Sequence, residues 1–246
     1  MRSPVNRKDP SGTRKIEKRE IERQRDIIRR YNEVMADVAT GDRPDKAEVL
    51  ERLSQSLKDD LTASSEDWMR NAAETTVRVS DRVLNNLHTG IVLGPSVQVP
   101  QSEIQMLKVN IIFNVQSVAD DMFKDVTRIV AEGYQKGLGA DAIVREIHKA
   151  GDKQVRHAET IVRTEIMRVC DVVAKARYTQ AGCDGYMSYP TDDDRTCPNC
   201  IEKATGGTGS TTLKIYGLNE PMALPWHPNC RCCRIPHFAD QEAITI

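Results

Sequence analysis

The sequence predicts a mainly α fold, an elongated helical bundle followed by a small α+β or irregular C-terminal module. Three observations predict it. From Ile16 to Gly182 apolar residues recur at steps of three and four, the period of amphipathic helices. Near Gly182 the composition turns rich in glycine, proline and aromatic residues: of 11 aromatic residues, six (Tyr178, Tyr186, Tyr189, Tyr216, Trp226, Phe238) lie in the last 69 positions. Finally, cysteines gather in two short clusters near the end of the chain. The expected segments are a flexible basic tail over 1–15, a helical domain over 16–182, a compact module over 183–237 and a C-terminal tail over 238–246.

Before Ile16 the chain is polar and carries Pro4, Pro10 and Gly12, a composition that buries too little to order itself. Residues 1–30 hold 11 Lys/Arg against 5 Asp/Glu, whereas the whole chain has a net charge of −1. Such an arm suits a phosphate or acidic-surface contact, with Arg14, Lys15, Lys18 and Arg19 as candidate DNA-contacting residues. A solvated helix face accounts for the same charges equally well.

The first helix carries Ile27, Ile28, Tyr31, Val34, Met35 and Val38, ended by Thr40-Gly41 and Pro44. Val49, Leu50, Leu53, Leu57 and Leu61 make a second. A third is capped by Ser64 or Ser65 and runs through Trp68, Ala72, Val79, Val83 and Leu87 to Gly90. Gly94, Pro95 and Pro100 break the following apolar stretch, which reads as an extended crossover. At Ser102 a capping box with Gln105 opens the clearest helix, whose apolar face from Ile104 to Ile129 continues to Gly133 or Gly137. A short helix with Ile143 and Ile147 stops at Gly151, and Asp152 caps a last long helix.

That last helix contains Arg163-Thr164-Glu165. Arg163 and Glu165 point about 200° apart around the helix, so they cannot pair with each other. Glu159 for Arg163 and Arg168 for Glu165 are the expected partners. Cys170 within the helix and Cys183 past its end read as packed thiols.

In the final module, short β-like runs at Tyr186–Tyr189 and Leu213–Tyr216 alternate with turns. Thr205-Gly206-Gly207-Thr208-Gly209-Ser210 lacks the lysine and following helix of a phosphate-binding loop. About 55 residues with few large side chains make a poor core.

What compensates is chemical. Cys197-Pro198-Asn199-Cys200 faces His227-Pro228-Asn229-Cys230-Arg231-Cys232 across a loop of 26 residues. Donor types and spacing are those of a closed, structural Zn2+ site. Cys197, Cys200, His227, Cys230 and Cys232 are the candidate ligands; either His227 or Cys232 completes the shell. Cys233 adjoins Cys232, so the two are not expected on one ion. The N-terminus has no apolar signal-peptide core and no stretch approaches about 18 apolar residues, so membrane spans and secreted disulfides are disfavoured. Asp192, Asp193, Asp194 and Arg195 read as a turn. His157 and His237 are isolated. No H-E-x-x-H, H-x-E or G-x-S-x-G pattern occurs, and five donors for four positions leave none open for a catalytic water, so no enzymatic activity is expected.

The order of these pieces resembles the phage head morphogenesis family, the Mu-type minor head (minor capsid) proteins. Gly137-x-Gly139 and a short helix, Ile161-Val162-Arg163-Thr164-Glu165, Tyr178-x3-Gly182, Asp194-Arg195-Thr196-Cys197-x2-Cys200, and the His227–Cys232 cluster carry the resemblance, which covers roughly residues 133–236. It implies a virion component, associated with the portal vertex and capsid interior and present in host cytoplasm during assembly. Head morphogenesis and genome packaging or delivery would be its role. The implied partners are the portal protein and the major capsid or scaffold protein, with phage DNA as a further candidate and no membrane. It also implies that the five donors are the family's metal-like cluster and that Arg163 and Glu165 form a structural signature. Gly206-Gly207 stands where many members have a D-G turn, and Cys233 is an extra thiol. A zinc-module nucleic-acid-binding protein is the alternative reading.

Overall fold

The computed structural model describes residues 6, 8–87, 91, 93–94, 96–207, 209–241 and 244. The expected positions 1–5 and 7 of the tail, Gly90, Pro95, Thr208 and most of 242–246 lie outside the described residues. The fold is mainly helical with a small sheet near the C-terminus. Its elements are α1 (Arg14–Thr40), α2 (Lys46–Asn86), α3 (Gln101–Gln135), α4 (Ala140–Gln180), β1 (Gly185–Tyr189), α5 (Pro198–Thr205), β2 (Ile215–Gly217) and β3 (Cys233–His237). The chain divides into two compact units. One gathers Met1–Glu17, Met69–Leu107 and Arg163–Ile246; the other gathers Lys18–Trp68 and Lys108–Val162. Each of the four long helices contributes to both, and the composition shift at Gly182 falls inside the first unit.

In the second unit Ile21, Ile28 and Met35 of α1, Leu57 and Leu61 of α2, and Ile111, Val115 and Met122 of α3 are buried, as their periodicity requires. Val34, placed on the same stripe by the sequence, is instead 42% exposed. Two expected helix breaks do not exist. Ser64 and Ser65 do not cap a new helix: both are buried inside α2, and the Ser65 hydroxyl donates to the Thr62 carbonyl at 2.7 Å, one turn back. Gly151 does not stop a helix either. α4 continues through it, and a Cβ there would lie 2.5 Å from the Asn32 side chain, whose Nδ2 donates to the Ile147 carbonyl at 3.1 Å. The glycine makes room for a close helix crossing. A third correction is smaller: Pro100, not Ser102, precedes the first turn of α3, its carbonyl accepting from the Glu103 and Ile104 amides.

Two helix ends do fall where glycine predicts them. At Gly137 (φ 66°) the Leu138 amide reaches the Gly133 carbonyl and the Gly137 amide reaches Tyr134. At Gly182 (φ 73°) the Cys183 amide reaches Tyr178 and the Gly182 amide reaches Thr179. These are Schellman ends, in which a left-handed residue folds the chain back onto the last carbonyls.

The first unit carries the sheet, ordered β2-β1-β3 and antiparallel throughout. Tyr186 stands opposite Tyr216 on one side and Pro236 on the other; a proline is tolerated because β3 is an edge strand. Of these strands, β3 had no counterpart among the expected runs, nor did α5. Arg234 of β3 and Asp171 of α4 make a buried two-point ion pair at 2.7 and 3.0 Å. Burial pushes the Asp171 carboxyl up, against the opposing pull of the guanidinium. The expected flexible tail also needs correcting over its described part. Pro10, Ser11 and Thr13 are buried, and Gly12 sits against Val79, so close that a Cβ would meet it at 2.6 Å.

Candidate metal centre

Cys197 caps α5: its backbone is extended (φ −77°, ψ 153°), Pro198 occupies the first helical turn, and its sulfur accepts from the Cys200 amide at 3.4 Å. Helix N-termini favour negative charge. The Cys197 thiol is accordingly held below its ordinary range, chiefly by that amide. Cys200, one turn on, is buried, and Gly206 (φ 77°) ends the helix.

The second cluster is a turn closed by the Cys230 amide on the His227 carbonyl at 3.0 Å. Asn229 adopts φ 61° there, a left-handed conformation that asparagine tolerates better than most side chains. Its amide donates to the Thr164 hydroxyl of α4 at 3.1 Å.

These two turns bring the donors together. His227 Nε2 lies 3.2 Å from Cys197 Sγ and 3.1 Å from Cys200 Sγ, and Cys200 Sγ lies 3.7 Å from Cys230 Sγ. Cys197, Cys200 and His227 form one group whose donor atoms all lie within 4.8 Å of one another; Cys200, Cys230 and Cys232 form another. Cys200 belongs to both. Tetrahedral zinc–thiolate and zinc–imidazole bonds imply donor separations of roughly 3.8 Å between sulfurs and 3.6 Å from nitrogen to sulfur. The cluster could therefore hold a metal ion with only small adjustments.

His227 Nδ1 lies 2.7 Å from the Pro228 carbonyl. A carbonyl only accepts, so Nδ1 carries the proton and Nε2 presents its lone pair to the sulfurs. That same carbonyl is the main cause of the raised His227 pKa. Among the crowded thiols, Cys230 is pushed down by hydrogen bonds from Cys200 and Cys232, and those two donors are pushed up. Without a cation one thiolate is stabilised at its neighbours' expense; a divalent ion stabilises several at once.

An outer layer fixes both turns. The Asp193 carboxylate takes two bonds from the Arg231 guanidinium, 2.5 and 2.7 Å, and one from the Arg195 amide at 3.0 Å. The Thr191 hydroxyl donates to the Arg231 carbonyl at 3.0 Å, and the Thr196 hydroxyl donates to the Thr191 carbonyl. The acidic run is a turn, as expected, and Asp193 is also a clamp on the residue between two candidate ligands.

All five expected donors converge. Cys233 instead lies in β3, packed with Met167, Met187 and Ile235, and its thiol is pushed up by burial. Cys170 and Cys183 are also buried, with pKa values raised by burial to about 12 and about 11. Glu165 is buried, 3.5 Å from Arg168 as expected. Arg14, Lys15, Lys18 and Arg19 are exposed on α1, Arg19 bonded to Glu20 at 2.7 Å. His157 is exposed and His237 belongs to β3; neither joins a donor group among the described residues. The sequence missed Thr164, whose role depends on a residue 65 positions away, and Arg231 as the partner of Asp193. Among the described residues, no helix is long and apolar enough to cross a membrane. No protein-family model, curated protein or solved structure matches the chain.

Proposed function

We propose that the chain is a structural minor head protein of a tailed bacteriophage, with a zinc-stapled module that docks on the portal vertex or capsid interior. In this reading it acts in head morphogenesis and in genome packaging or delivery. The portal and the major capsid or scaffold protein are its partners, with phage DNA a further candidate. It works in the virion, after assembly in host cytoplasm.

The observation that supports this most is the bond from the Asn229 amide to the Thr164 hydroxyl. It joins Arg163-Thr164-Glu165 to the His227–Cys232 cluster, two motifs whose order along the chain carried the resemblance. Zinc suits the donor set, since thiolate and imidazole together favour a tetrahedral d10 ion. Two donor groups that share Cys200 offer enough sulfur and nitrogen ligands to close a four-coordinate shell, which favours a structural site over one holding a reactive water. Zinc binding worth roughly 10–16 kcal/mol apparent in small zinc domains would offset the thin core of this region.

Pull-down of the portal protein by the purified chain tests the reading. Binding should be abolished by the Cys197→Ser/Cys200→Ser double change. Undiminished binding after loss of the metal would separate the site from the docking role.

A second reading, a zinc-module nucleic-acid-binding protein, is favoured by the exposed Arg14, Lys15, Lys18 and Arg19. It requires DNA affinity that falls steeply with salt and loses slope when these four are changed to alanine.

A further inference from the structure

We infer that the ion is held by Cys197, Cys200, His227 and Cys230, three sulfurs and one nitrogen, with Cys232 a fifth thiol outside the shell. The inference rests on the metal-binding reading above and deepens it by choosing the ligands.

The choice starts from a repeat. Cys197-Pro198-Asn199-Cys200 and His227-Pro228-Asn229-Cys230 carry the same four-residue pattern, donor-Pro-Asn-Cys, the first opening α5 and the second turning through a left-handed Asn229. Each is closed by the same bond, the amide of the last cysteine on the carbonyl of the first residue: 3.0 Å in both. A turn so closed brings its first and fourth side chains to one side, so each repeat offers two donors. Two such pairs make a complete tetrahedral set without Cys232.

The surroundings of His227 agree. Its Nε2 is nearly equidistant from Cys197 and Cys200, and its Nδ1 is anchored to Pro228 within its own turn. A side chain merely resting near the cluster would have no reason to be fixed at both ends of its ring. The Cys200–Cys230 separation of 3.7 Å closely matches the edge expected of a zinc tetrahedron.

Cys232 is placed differently. It follows the second turn and immediately precedes β3. It lies near Cys200 and Cys230 and, like Cys230, shares a donor group with Cys200 rather than with His227 or Cys197, so its place in the chain and the space behind it are what set it apart. Its other side lines a small inner cavity of about 20 Å³, together with Cys170, Cys233, Asp171 and Tyr178. Cys230 does not line that cavity. Cys232 thus stands behind the shell, in contact with two ligand sulfurs, and acts by positioning them.

X-ray absorption spectroscopy of the full-length protein loaded with zinc decides the ligand set. Three sulfurs near 2.3 Å and one nitrogen at about 2.0–2.1 Å are expected. Cys232→Ser should retain one zinc per chain and the same spectrum, its affinity falling by no more than the roughly 10–100-fold typical of a lost supporting contact. His227→Ala should lose the nitrogen signal, and zinc affinity should fall by more than that. A four-sulfur spectrum, with His227→Ala unaffected, would overturn the ligand choice while leaving the metal reading intact. Absence of stoichiometric zinc from the wild-type chain would remove both. Should Cys232→Ser fail to fold, the wild-type spectrum alone still separates the two ligand sets.

Discussion

Asp193 and Arg231 meet side-on, two guanidinium nitrogens on two carboxylate oxygens, across 38 positions of chain. The pair ties the turn before Cys197 to the residue between Cys230 and Cys232. Neither donor cluster is therefore oriented by its own loop alone. Outer contacts of this kind typically change metal affinity by roughly 10–100-fold when removed. Asp193→Asn should weaken zinc binding within that range, measured by competition with a chromophoric chelator, and leave one zinc per chain at saturation.

The same carboxylate gives a pH dependence with a definite sign. Arg231 holds the Asp193 pKa below its usual 3.8, so the folded state binds this proton less readily than the unfolded chain. The resulting stability is fully present above the ordinary carboxylate range and is lost as pH falls through the folded value. Between pH 7 and 5 the wild type and Asp193→Asn should therefore differ by a constant amount. Below about pH 4 the two curves should converge. Urea denaturation across pH 3–7 measures the difference, and parallel curves throughout that range would contradict it.

Thr164 bridges α4 to the His227–Cys230 turn through the Asn229 amide. Thr164→Val keeps the shape and removes the acceptor, leaving that amide without its partner. Because Asn229 is exposed and water can take over the amide's bond, a loss of about 0.5–1.5 kcal/mol is expected, and Thr164→Ser should recover most of it. Asn229→Val should be as damaging for another reason, since β-branched residues resist φ 61°. Thermal melts of the zinc-loaded variants check both, with Asn229→Gly as the tolerated control.

How much of this was legible in the sequence depends on the range of the interaction. Apolar periodicity gave the helical faces of Ile28, Met35, Ile111 and Met122, because burial there follows from local spacing. The donor set was legible for the same reason: ligands three residues apart advertise a turn. Ser64 and Gly151 misled because their local meaning, a cap and a stop, was overruled by burial and packing. Ser64 lies buried inside a continuous helix, and Gly151 sits beneath Asn32, 119 positions earlier in the chain. Thr164 and Asp193 are ordinary residues until their distant partners are known, so no local pattern marks them.

Gly151 yields a test in which the usual rule reverses. Glycine inside a helix is normally worth about 1 kcal/mol less than alanine, so Gly→Ala ordinarily stabilises. Here the added methyl would stand 2.5–2.7 Å from three atoms of the Asn32 side chain. It would also displace the bond from Asn32 to the Ile147 carbonyl. Gly151→Ala should therefore destabilise, by about 1–3 kcal/mol for an overpacked contact. Adding Asn32→Ala should relieve the clash, making the double variant more stable than Gly151→Ala alone. Urea midpoints of the three variants decide it, and a stabilised single variant would show that the crossing is looser than the geometry states.

Metal removal can be followed from within the chain because its two tryptophans report on different regions. Trp226 adjoins His227, lies 6.3 Å from the Tyr216 ring and carries the Lys203 ammonium 4.8 Å from its ring centre. Trp68 is wholly buried within α2. In a Trp68→Phe variant the remaining emission belongs to Trp226, and a chelator should shift it to longer wavelength as the indole meets water. In a Trp226→Phe variant the Trp68 emission should hardly move, because apolar packing rather than the ion keeps that indole dry. Helical circular dichroism should fall little in either case, since none of the candidate donors lies in α1 to α4. Zinc should restore the Trp226 emission with one equivalent per chain. Equal red shifts at both tryptophans would mean instead that the ion supports the whole fold, and that the helices do not stand without it.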